Sequence, residues 1–153
     1  MEIDAPRFEP LAMPALATAF RRAVIAHADG TIDEPAPEAV LQGAASTPYL
    51  VAHANLTFNR LGRSHREGKS SHFDVLDLFA FVRPAQPIAP SIGAIARALG
   101  HQVPRDLAAQ ALFLRQAANE LLSEAQGWSE RERKQAARIA AAMALSRWAW
   151  APL

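Results

Sequence analysis

Five histidines (His27, His53, His65, His72 and His101) and the carboxylate pair Asp74 and Asp77 are the residues whose types suit acid–base or metal chemistry. None of the histidines shows the i, i+4 pairing or the nearby carboxylate set that zinc sites use. His53 follows an apolar run and reads as a hydrogen-bonded histidine at a buried strand end, whereas His65 and His72 fall in a polar stretch that reads as a solvated loop. Asp74 and Asp77 straddle a change from strand to helix, where Asp77 is placed to cap the helix and favour its positive end. His101 and Asp106 are five residues apart, but Pro104 interrupts them and Asp106 reads as the N-cap of the next helix. No metal site is assigned.

Two groups of cations could hold phosphates instead. Arg60, Arg63, Arg66 and Lys69 crowd one loop together with His65, and Glu67 is its only acid. Arg131, Lys134 and Arg138 share one face of a helix by their spacing of three and four. The alternative for both is ordinary solvated surface charge. Neither sequence cluster has interleaved aromatics on which bases could stack, so the contact expected is weak, sequence-independent and salt-sensitive.

These residues need a scaffold, and the chain is long enough for one. Its 153 residues are 50% hydrophobic, enough for one domain with a core. Cysteine is absent, which excludes thiol catalysis, cysteine-based zinc sites and disulfides, and agrees with a cytoplasmic location. A formal net charge of +1, from 16 Lys and Arg against 15 Asp and Glu, leaves any nucleic-acid contact to a local patch. No apolar run approaches the roughly 20 residues of a membrane span. The acidic, proline-punctuated start is unlike a secretory signal.

Arg22–Ala28 followed by Asp29-Gly30 reads as a strand entering a tight turn. Pro37 opens a short helix through Ala45, and the apolar Tyr49–His53 reads as a buried strand. Asn55–Leu61 suits a short helix, Gly62–Ser71 a loop, and Phe73 starts a strand that turns helical near Asp77. Ser91 is placed to cap a helix over Ile92–Leu99 that Gly100 ends. From Asp106, Leu107, Ala111, Leu114, Ala118, Leu121 and Ala125 mark one helical face. Ser129 and Glu132 form a capping box for a last helix with Ala136, Ile139 and Met143 as its apolar stripe. Strands and helices alternate and then give way to helices, which argues for a small α/β sheet with a helical C-terminal layer. Trp148 and Trp150 either tuck back onto the core or serve as docking residues for a continuation of the polypeptide.

Leu50-Val-Ala-His-Ala-Asn-Leu-Thr-Phe-Asn-Arg-Leu61, followed by Phe73-Asp-Val-Leu-Asp-Leu-Phe-Ala-Phe-Val-Arg-Pro84, resembles two adjoining motifs of the DnaQ-like 3′–5′ exonucleases. With the terminal Trp-Ala-Trp-Ala-Pro it looks like the N-terminal region of alphaproteobacterial DinG-type ATP-dependent DNA helicases. The resemblance covers about residues 20–153, with Leu50–Pro84 and the last few residues specific. It implies a ribonuclease-H-like, exonuclease-like sheet, with residues 1–20 as an extended N-terminal segment and 21–153 as one domain whose C-terminal helices start at about 106.

Such exonucleases hold two divalent ions roughly 4 Å apart with several carboxylates. Set on the strand at Val24–Ala28, the family's Asp-x-Glu would be replaced by Ala26 and Ala28; its second aspartate would be Asn59, and Asp106 is taken by its cap. The expectation is therefore a catalytically inactive accessory domain, not an enzyme by itself, that contributes DNA or motor-domain docking. ATP and Mg²⁺ would belong to a downstream motor domain, because this chain has no Walker-type Gly-x-x-x-x-Gly-Lys-Ser/Thr. The alternatives are an active metal-dependent 3′–5′ exonuclease and a protein-docking module with no nucleic-acid role.

Overall fold

The computed structural model describes residues 11–62 and 72–151. It is a mixed α/β protein built on one five-stranded sheet. Strands β1 (Ala15–Ala19), β2 (Arg22–Ala26) and β3 (Ile32–Asp33) run antiparallel to their neighbours. On the other side of β1, β4 (Leu50–Val51) and then β5 (Phe73–Asp74) add in parallel, giving the order β3-β2-β1-β4-β5. The antiparallel pairs need only tight turns: Phe20 and Arg21 link β1 to β2, with Arg21 at φ 53°. At the next turn Asp29 accepts from the Thr31 amide and hydroxyl, and Gly30 takes φ 86°. Parallel pairs need crossovers. Helix α1 (Pro37–Gly43) lies between β3 and β4 in the chain, and α2 (Ala54–Asn59) between β4 and β5.

Side chains alternate across the sheet, as the period of two requires. Leu16, Ala23, Ile25 and Val51 pack with Val40 of α1 and Phe58 of α2 on one face. Ala15, Ala17, Val24, Ala26 and Leu50 face the other way. That second face is covered by α3 (Val75–Val82), α4 (Ile92–Ala98) and the long α5 (Leu107–Gln126). Alanine meets alanine there: Ala15, Ala17 and Ala26 of the sheet and Ala111, Ala117 and Ala118 of α5 are all buried. Small residues on both surfaces let the helix lie close to the strands, and Leu114, Leu121, Phe79 and Ile95 fill the space around them.

The predicted opening strand at Arg22 exists, but it is the second one. Ala15–Ala19, expected within an extended segment, is the centre of the sheet. Its alanines have little β propensity, and burial on both faces outweighs that preference. The approach to β1 is held by Arg115 of α5, 8% exposed, whose guanidinium donates to the carbonyls of Leu11 and Met13.

Asp74, not Asp77, caps α3; its carboxylate accepts from Leu76 N at 3.0 Å. Asp77 lies within the first turn. Ser91 and Asp106 cap α4 and α5, and the Ser129–Glu132 capping box starts α6 (Glu130–Ala144). Trp150 tucks back onto the core, 4% exposed, with its indole N–H donating to Asp74 O at 2.8 Å and its ring edge-on to Phe73. Among the described residues no helix is long and apolar enough to cross a membrane.

Candidate functional site

In open α/β sheets ligands collect beyond the carboxyl ends of the strands. Here the carboxyl ends of β1 and β4 open into a cleft of about 510 Å³. Thr18, Ala19 and Phe20 line it from β1 and its turn, His53, Leu56 and Arg60 from α2, and Val103, Leu107 and Gln110 from the entry of α5.

Each wall is fixed by backbone bonds. Thr18 Oγ1 donates to Thr57 O at 2.8 Å, tying β1 to α2 in the interior. The chain leaves β4 through His53 in the left-handed region (φ 61°, ψ 77°). That conformation is costly for a residue with a Cβ and persists only where the surroundings hold it. Asp74 holds it: Oδ1 accepts from His53 N at 3.1 Å and Oδ2 from Ala54 N at 2.8 Å. His53 Nδ1 in turn caps α2 by accepting from Leu56 N at 3.3 Å. In the neutral ring this leaves the proton on Nε2.

Arg60 closes α2 and is bound at one end to β1 and at the other to the β1–β2 turn. Its Nη1 donates to Thr18 O at 2.9 Å, and its carbonyl accepts from Arg21 N at 2.9 Å. Those bonds set Arg60 beside a turn that carries Phe20, 80% exposed, with the Arg21 guanidinium 5.4 Å from the ring centroid. A large bare aromatic and two guanidinium groups therefore stand together at the cleft mouth. Such a ledge can stack a planar apolar ring and neutralise an anion beside it.

Among the described residues that line the cleft there is no Asp or Glu. Hard divalent ions need oxygen donors, and several carboxylates must carry the charge. Among the described residues, no three His, Asp or Glu side chains come together as a metal-binding group. Asp74 is committed to three backbone amides, Asp29 to the Thr31 turn and Asp106 to Ala109 N at 2.7 Å.

The residues singled out in the sequence are dispersed. Ala26 is buried against α5, Ala28 is in the β2–β3 turn, and Asn59 is exposed on α2 outside the lining. His101 bonds Glu120 at 2.7 Å, and His27 bonds Asp33 at 2.6 Å. His72, expected in a solvated loop, instead accepts from Tyr49 N through Nδ1 and stacks near Tyr49 and Phe58. Arg63, His65, Arg66 and Lys69 lie outside the described residues. Arg131, Lys134 and Arg138 line a separate shallow depression on α6, where Lys134 pairs with Glu130 at 2.7 Å.

Sequence reasoning missed Phe20, Arg21, Leu56 and Gln110. The tripeptide Phe20-Arg21-Arg22 was the available signal, an aromatic beside two cations, but it acquires meaning only once a strand precedes it. Comparison with protein-family models, with characterised proteins and with solved structures finds no match.

Proposed function

We propose that the chain is an accessory, catalytically silent exonuclease-like domain that holds single-stranded DNA weakly and without sequence preference. The observation that carries this reading is the exposed Phe20 standing with Arg21 and Arg60 over a cleft with no carboxylate among its described lining residues. A base laid on Phe20 gains stacking that every base can supply, and the guanidinium groups meet the phosphates on either side.

Support for a ribonuclease-H-like sheet comes from the strand order, with three antiparallel strands first and two parallel additions beside the first of them. In such a sheet the Asp-x-Glu of an exonuclease would fall on β1, within Ala15-Leu-Ala-Thr-Ala19, which has no carboxylate, and not at Ala26 and Ala28, which follow on β2 and its turn. The association with a DinG-type helicase motor rests on the sequence resemblance and belongs to the same proposal.

The test is fluorescence anisotropy of a labelled oligo-dT strand. Phe20→Ala should weaken binding about five- to 150-fold, the equivalent of one lost stack at about 1–3 kcal/mol. Two phosphate contacts predict a decline of about sevenfold in affinity between 50 and 200 mM salt; participation of Arg63, Arg66 and Lys69 would steepen it to about 100-fold. Binding indifferent to both Phe20→Ala and salt refutes the reading. So does Mn²⁺-dependent cleavage of the strand that Asn59→Ala abolishes, which the active-exonuclease alternative requires.

A further inference from the structure

Helix α6 is amphipathic by sequence, yet none of its side chains is buried and Ile139 is 47% exposed. Between it and α3 runs a groove of about 670 Å³, walled by Phe81, Trp128, Ile139, Met143 and Trp148. An apolar channel of this kind between two helices is suited to a third.

The polar features of the groove narrow the choice of occupant. Among the described residues that line it, the only charged ones are Asp77 and Glu132, with no Lys, Arg or His. Partial burial and the neighbouring Asp74 push the Asp77 carboxyl above its usual range, so an added cation there would be welcome.

Apolar cover and positive charge come together in one object, a basic amphipathic helix, whose apolar stripe lies in the channel while its Lys and Arg flank it. We infer that the α3–α6 groove docks such a helix from a partner protein. Its cations sit over Asp77 and Glu132. This site is separate from the Phe20 cleft and does not depend on the DNA-binding reading.

The probe is a displayed library of 16-residue peptides with a fixed leucine stripe at helical spacing and Lys, Glu, Gln or Ser at the outer positions. Selection on the full chain should enrich Lys, and titration of the enriched peptides should shift the emission of Trp128 and Trp148. Ile139→Lys, at an exposed position, should weaken binding about tenfold or more by placing a charge in the centre of the contact. Asp77→Asn with Glu132→Gln should weaken it about threefold or more and flatten its salt dependence; Gln preserves the capping box.

Enrichment of neutral or acidic peptides overturns the inference, as does binding that survives Ile139→Lys. A dimer in sedimentation that Ile139→Lys dissolves also overturns it, because the occupant is then a second copy. Oligo-dT binding should be unchanged in Ile139→Lys, so loss of peptide binding with DNA binding intact separates this site from the cleft.

Discussion

Removing the Asp74 carboxylate should cost more stability than any other single polar change near the cleft. Its Oδ1 accepts from His53 N at 3.1 Å and Leu76 N at 3.0 Å, and its Oδ2 from Ala54 N at 2.8 Å. The bonds join three pieces of structure: the left-handed exit from β4, the first turn of α2 and the first turn of α3. A hydrogen bond to a charged group contributes about 1.5–3 kcal/mol in a protected setting, and less where water can substitute. Asp74 is only partly buried, so about 3 kcal/mol for Asp74→Ala is a fair total over three amides. A chain of this size then loses about 6–12 °C in melting temperature.

Asp74→Asn separates charge from geometry. Its single carbonyl oxygen can keep the His53 and Leu76 amides, but its NH₂ group faces the Ala54 amide, donor against donor. The expected cost is about 1–2 kcal/mol. Urea unfolding followed by circular dichroism and tryptophan emission measures both, and Trp150, bonded to the Asp74 carbonyl, reports locally. A loss under about 1 kcal/mol for Asp74→Ala, or equal losses for Ala and Asn, would show that Asp74 does not organise this corner.

Leu114→Ala should cost about 2–5 kcal/mol in the same urea experiment, because Leu114 is fully enclosed between α5 and the sheet; a smaller loss would mean that the site collapses around the gap. Arg115→Lys should fail to restore the loss of about 1–3 kcal/mol expected for Arg115→Ala, since one ammonium cannot span the Leu11 and Met13 carbonyls as the guanidinium fork does. Thermal melts of the two variants check this, and full rescue by Lys refutes it. For Asp77 the sign follows from its raised folded-state pKa. At pH 3 the parent carries a mostly protonated acid in both states; as pH climbs through the folded pKa, ionisation penalises the native state alone. The stability of Asp77→Asn relative to the parent should therefore increase from pH 3 to pH 7, and a flat or falling difference across paired melts contradicts the desolvation that motivates it.

Much of the helical layer was legible because its signals are local. A capping box at Ser129 and Glu132, caps at Ser91 and Asp106, and an apolar face recurring along Leu107–Ala125 each involve residues within a few positions of one another. The Asp29-Gly30 turn was equally local. The sequence by itself thus determined which segments are helices and where α4, α5 and α6 start.

Tertiary structure decided the rest. Ala15-Leu-Ala-Thr-Ala19 has weak strand propensity and became the central strand because its two faces are covered by residues as distant as Val51 and Ala118. His72 left its expected loop for a stack on Tyr49 and Phe58. Asp74 took the cap expected of Asp77 and, once β4 and β5 pair, also holds the backbone turn at His53. The cleft joins Phe20, the His53 and Arg60 ends of α2, and Gln110, three segments that no spacing rule connects. Local patterns record what a helix or turn needs from its own neighbours; a site made of separate segments exists only once burial of the sheet has fixed their distances.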